Sequence, residues 1–109
     1  MTPITAKILL VDDEPKNLIA LSSILEGEGR QLVAVGSGSA ALKALLEEEF
    51  ALILLDVHMP GLDGFETAEL IRQRDSTRDT PILFITSAVR GEFAINKGYA
   101  LGAVDYLLR

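Results

Sequence analysis

The sequence predicts an α/β domain built on an open, doubly wound parallel sheet. Three observations carry that reading. Apolar residues alternate between short continuous runs and longer stretches with helical spacing. The short runs lack polar alternation, the mark of strands covered by helices on both faces. The length of 109 residues, 49% hydrophobic and 24% charged, suits one hydrophobic core and is too short for two. Right-handed crossovers then restrict the chain to an open doubly wound sheet.

The strands are expected at 7–11, 32–35, 52–56, 82–86 and 104–108. Between them, Leu18, Leu21 and Leu25, then Leu42, Leu45 and Leu46, then Phe65, Ala68 and Ile71 recur at helical spacing. Pro15 suits the first turn of the first helix, and Gly27 or Gly29 suits its C-terminal cap after Glu26. Ser37 or Ser39 can cap the second helix, and Pro81 opens a strand where its missing N–H costs least. A fourth helix is expected over 91–101, where Phe93, Ala94, Ala100 and Leu101 bracket Asn96, Lys97 and Gly98, making it the most easily perturbed. No repeat or linker interrupts the chain, so residues 1–109 read as one domain that stops before a fifth helix.

Composition excludes several classes of function. The longest apolar runs, such as those containing 8–11 and 51–55, fall far short of the roughly 18 residues that span a bilayer. The amino terminus lacks an export signal, so the expected location is cytoplasmic, away from membranes. Zero cysteines exclude disulfides, thiolate zinc sites and cysteine nucleophiles, and the single histidine, His58, excludes a multi-histidine metal site. A net charge of −6 repels nucleic acid, so no direct nucleic-acid binding is expected.

Ligands of such sheets bind at the carboxyl ends of the strands, near the point where strand order reverses. Asp12 and Asp13 end the first strand, Asp56 the third, Thr86 the fourth and Arg109 the fifth. Singly each has an ordinary reading: a solvated turn or helix start, a loop cap, a strand residue, and for Tyr106 a core or rim aromatic. Their coincidence at one edge points to a site. Carboxylates about 5 Å apart repel by roughly 3 kcal/mol per pair at an effective dielectric near 20, so a cation belongs among them. Few protein oxygens and room for an incoming phosphate suit Mg²⁺ better than Ca²⁺.

Four segments carry a family resemblance: Leu10-Val11-Asp12-Asp13-Glu14, the run from Leu54 through Asp56, His58, Met59-Pro60-Gly61 and Asp63-Gly64, Ile85-Thr86-Ser87-Ala88, and Gly102-Ala103-Val104-Asp105-Tyr106-Leu107. The chain resembles the receiver domain of two-component response regulators. The resemblance implies a flavodoxin-like five-stranded parallel sheet of order 2-1-3-4-5. It also implies that Asp56 is the phosphoacceptor, taking a phosphoryl group from the phosphohistidine of a histidine kinase or phosphotransfer protein. Asp13 and Asp56 would bind Mg²⁺ directly with the His58 backbone carbonyl, and Asp12 would act through a water. Thr86 would turn its hydroxyl to a phosphoryl oxygen and Tyr106 would turn inward, changing the face of the fourth helix and fifth strand that meets an output domain or downstream protein. Such a domain is not an enzyme on a separate substrate, although it assists its own phosphotransfer and dephosphorylation. The segment 97–106 is similar to receivers of hybrid sensor kinases.

The glycines after the third strand are expected to supply positive φ and so aim Asp56. His58 reads as tuning water access to the phosphate, not as a donor. Two positions depart from the family: Ser87 stands where alanine follows the switch threonine, and Arg109 stands where the fifth strand ends in lysine and then proline. Arginine keeps the charge on a different, planar frame. A receiver-like interaction domain that works without phosphorylation is the alternative if Arg109 disables the site. An aspartyl phosphatase shares the sheet and metal logic, but the paired acids on the first strand and the missing cap insertion point back to the receiver. Without a fifth helix, Ile8, Leu10, Val104 and Leu107 or Leu108 are expected to leave apolar surface bare, favouring self-association or a longer natural chain.

Overall fold

The computed structural model of the chain describes residues 6–86 and 103–108. The elements run β1 (Ala6–Val11), α1 (Pro15–Leu25), β2 (Arg30–Val35), α2 (Gly38–Glu47), β3 (Leu52–Asp56), α3 (Gly64–Arg72), β4 (Ile82–Thr86) and β5 (Ala103–Leu108). Every strand pair is parallel and the sheet order is β2-β1-β3-β4-β5, the flavodoxin-like order. The expected fourth helix lies outside the described residues.

Alternation along the central strands divides the core in two, because successive side chains leave opposite faces of a sheet. Leu9, Val11, Ile53, Leu55, Ile82 and Phe84 face one way and pack with Ala41 and Leu45 of α2 and Ala68 and Ile71 of α3. The Phe84 ring meets Phe65 edge-on, 5.0 Å between centroids. Ile8, Leu10, Leu54 and Ile85 face the other way, against Leu21 of α1. Both faces of these strands are therefore apolar, which removes the polar alternation from the sequence. Lys7 Nζ and Glu48 Oε1, 2.8 Å apart, tie the start of β1 to the end of α2.

Four details differ from the sequence reading. First, α1 ends at Glu26 in extended backbone, its N–H donating to the Ser22 carbonyl, and neither glycine caps it. Gly29, with φ 79°, belongs instead to the turn entering β2, where Arg30 N–H donates to the Gly27 carbonyl at 3.3 Å. Second, Leu46 is 67% exposed while Leu45 is buried, since one residue along a helix rotates the side chain by about 100°. Third, Ile8 and Leu10 are buried against Leu21, Leu54 and Ile85, so the bare surface expected at these two positions is absent. Fourth, β1 and β5 each begin one residue and β2 two residues earlier than expected, and the pairing of β5 with β4 skips Val104 between Ile82 and Leu83. Ser37 does cap α2, its Oγ accepting from Ala40 N–H at 3.0 Å.

The chain passes from β1 to β2 on one side, then crosses to β3 on the other. The order reverses between β1 and β3, so a crevice opens beyond their carboxyl ends.

Candidate functional site

Asp12 is the residue after β1 and Asp56 the last of β3, so adjacent strands deliver both to the crevice. Asp12 N–H continues the ladder by donating to the Val35 carbonyl at 3.2 Å. Its Oδ1 accepts from Glu14 N–H at 3.0 Å, turning the chain into α1, where Pro15 takes the first helical position. Asp56 Oδ1 accepts from His58 N–H at 3.3 Å. Asp12 and Asp56 are buried, at 0% and 1% exposure, whereas Asp13 faces solvent.

One oxygen from each of Asp12, Asp13 and Asp56 lies within 4.8 Å of the others. Two buried carboxylates and one at the mouth give an oxygen-only donor set open on one side. That chemistry fits a hard divalent cation that keeps part of its water shell, and it does not suit the softer metals that prefer nitrogen or sulfur.

The loop from β3 to α3 holds Asp56 in place. Gly61 has φ 72°, as expected for a turn glycine. Gly64 does not need positive φ; it is required for close approach, because a β-carbon there would overlap the Asp56 carbonyl oxygen and lie 2.8 Å from Val57 Cα. Its N–H donates to the Val57 carbonyl at 2.9 Å. Asp63 caps α3: its Oδ1 accepts from Glu66 N–H at 2.8 Å, and Glu66 Oε1 accepts from Asp63 N–H at 3.1 Å. The Asp-x-x-Glu spacing of Asp63 and Glu66 is the sequence signal for this capping box. Buried Thr67 adds a hydroxyl donated to the Asp63 carbonyl at 2.7 Å.

Of the other expected site residues, Thr86 ends β4 one position beyond Ile85, the register partner of Asp56, and pairs with Leu108. Tyr106 pairs with Phe84 across β4 and β5. The His58 side chain is exposed. Ser87, Ala88 and Arg109 lie outside the described residues. Among the described residues, no helix is long and apolar enough to cross a membrane.

A parallel sheet in this order with acids at its switch point defines a CheY-like receiver fold. Residues 8–109 match the response regulator receiver domain family, and the chain belongs to it, as a signalling module of two-component systems. It is 40% identical over 105 residues to the sensor histidine kinase GacS of Pseudomonas protegens, covering 94% of this chain but 12% of that protein. The structure of the chemotaxis protein CheY4 of Vibrio cholerae superposes with a TM-score of 0.90 at 30% identity, covering 96% of this chain and 87% of that one. The response regulator TrrA of Thermotoga maritima, crystallised in complex with Mg²⁺ and BeF, gives a TM-score of 0.83 at 30% identity, with coverage of 96% and 87%.

Proposed function

We propose that the chain is a phosphoacceptor switch in which Asp56 takes a phosphoryl group from the phosphohistidine of a histidine kinase or phosphotransfer protein. The convergence of Asp12, Asp13 and Asp56 at the switch point carries this reading. TrrA, which binds Mg²⁺ and BeF, supports it by likeness. Asp13 and Asp56 would hold Mg²⁺ together with the His58 backbone carbonyl, and Asp12 would act through a water. When bound, the ion supplies positive charge that offsets the attacking carboxylate and the phosphoryl oxygens.

The residues of the chain do the positioning. A carboxylate oxygen of Asp56 attacks phosphorus, the nitrogen–phosphorus bond breaks, and the donor imidazole leaves and takes up a proton from solvent. The His58 N–H steadies the carboxylate through Oδ1. Hydrolysis returns the site when water attacks phosphorus and the carboxylate departs, releasing inorganic phosphate. Thr86 would read the new charge with its hydroxyl, Tyr106 would turn inward, and Arg109 would supply the cation that lysine supplies in the family. The surface of β5 and the segment before it would then meet an output domain or downstream protein.

Intact mass after incubation with acetyl phosphate, with and without Mg²⁺, tests the reading. A single phosphoryl adduct is expected only with the ion and is lost in Asp56→Asn. No adduct in the wild-type chain, or one that survives in Asp56→Asn, overturns it.

A further inference from the structure

We propose that Gly38 is a positioning residue for Asp56, acting through the packing of α2 on the loop between β3 and α3. The inference rests on the phosphoacceptor reading of Asp56 and extends that site to a residue on another element. Gly38 is the first residue of α2 and is buried. A β-carbon there would collide with Thr67 Oγ1 and lie 2.9 Å from Leu62 Cβ and 3.2 Å from the Leu62 carbonyl oxygen. The missing side chain thus sets how closely α2 approaches both the loop and the first turns of α3. Thr67 is fully buried, so its side chain has no solvent into which to retreat.

From this contact a continuous series of short interactions reaches the acceptor. Thr67 Oγ1 donates to the Asp63 carbonyl at 2.7 Å, and Asp63 with Glu66 fixes the start of α3. The next residue, Gly64, donates its N–H to the Val57 carbonyl at 2.9 Å and lies against the carbonyl oxygen of Asp56. Asp56 Oδ1 in turn accepts from His58 N–H. A displacement of Thr67 and Leu62 is therefore passed to the backbone on which the acceptor carboxylate is mounted.

Local preference runs the other way. The φ of Gly38 lies outside the left-handed region, and alanine is the better helix former, so α2 alone would gain from Gly38→Ala. A loss of site function would come from the contact across to Thr67 and Leu62, and a double-mutant cycle isolates that coupling.

The experiment is calorimetric titration of the 109-residue chain with magnesium chloride, for wild type, Gly38→Ala, Thr67→Ala and the double variant, with melting temperatures measured in EDTA. Gly38→Ala is expected to raise Kd about tenfold, the scale on which disturbed supporting groups weaken metal sites. Thr67→Ala alone removes the bond to the Asp63 carbonyl and is expected to raise Kd about threefold, and on that background Gly38→Ala is expected to recover about half of its logarithmic loss, since the atom struck first is gone and the Leu62 contact remains. Such recovery is a readout that general destabilisation does not produce. Gly38→Ala binding like wild type, or a loss that Thr67→Ala does not relieve, overturns the inference. If Gly38→Ala does not fold, the double variant is read against Thr67→Ala: weaker binding through the remaining Leu62 contact supports the proposal, and equal binding overturns it. A wild-type chain that fails to bind Mg²⁺ overturns the phosphoacceptor reading as well, whereas a binding wild type with an unaffected Gly38→Ala overturns the inference alone.

Discussion

Gly64 lies so close to Asp56 that a β-carbon on residue 64 would overlap the Asp56 carbonyl oxygen, with Val57 Cα 2.8 Å away. These neighbours are backbone atoms of the strand end that presents the acceptor, and they have no rotamer to change. Gly64→Ala is expected to lower stability by about 2 kcal/mol or more, the scale of overpacking a rigid site. Gly61 is the contrast. Its φ is 72° and nothing lies within 4 Å of its β-carbon position, so Gly61→Ala carries only the left-handed penalty of about 1 to 2 kcal/mol. Asparagine, which tolerates that conformation, should restore most of it at position 61 and none at 64. Urea unfolding of the four variants checks the order, and equal costs for alanine and asparagine at position 61 would contradict the assignment.

Arg72, at the end of α3, donates from Nη1 to the carbonyls of Thr77 at 3.2 Å and Thr80 at 2.8 Å, pinning the turn that leads to β4. Partial burial draws its guanidinium pKa down and nearby Asp79 draws it back. Arg72→Ala leaves both carbonyls without this donor and is expected to cost about 2 kcal/mol. Arg72→Lys should recover part of that, because a compact ammonium on another stem does not reproduce the planar fork. Thermal melting of the two variants measures the difference; a lysine variant as weak as alanine would show that the charge contributes nothing here.

Much of the sheet was legible because strands buried on both faces leave continuous apolar runs, and residues such as Leu9, Leu10, Leu54 and Leu55 are needed on both sides. The acids were legible for a related reason: Asp12 and Asp56 interrupt the apolar pattern where their strands end. What remained hidden depends on distances between elements. Gly64 reads as a turn glycine in the sequence and Gly38 carries no signal there; only the approach of Asp56 and of Thr67 shows that volume, not φ, makes them glycine. Gly27 and Gly29 misled in the opposite sense, since Glu26 ends α1 without a left-handed residue.

The leucine pair of α2 shows the same boundary. Spacing places both Leu45 and Leu46 near the apolar face, but Leu45 is 6% exposed and Leu46 is 67% exposed. Leu45→Ala is expected to cost about 2 to 5 kcal/mol through lost burial and a cavity, against about 0.5 kcal/mol or less for Leu46→Ala. Parallel urea titrations decide it, and comparable losses would mean that α2 presents a different face to the sheet.

The acidic cluster gives a test in which charge and metal act with opposite sign. Asp13 is the member to replace, because it is exposed and its amide isostere opens no cavity. With no metal present, its carboxylate lies within 4.8 Å of oxygens of Asp12 and Asp56, so Asp13→Asn removes repulsion. Solvent screening at an exposed group reduces that gain to about 1 kcal/mol or less, and the variant is expected to melt a few degrees above wild type in EDTA, by up to roughly 8 °C. Mg²⁺ reverses the order. A ligand bound only to the folded state adds about 2.7 kcal/mol at a hundred times its Kd, and wild type should gain this while Asp13→Asn gains much less. The two melting temperatures are therefore expected to cross as magnesium chloride is raised. An Asp13→Asn chain that melts below wild type in EDTA and shows an equal Mg²⁺ shift would mean that these three carboxylates do not share a cation.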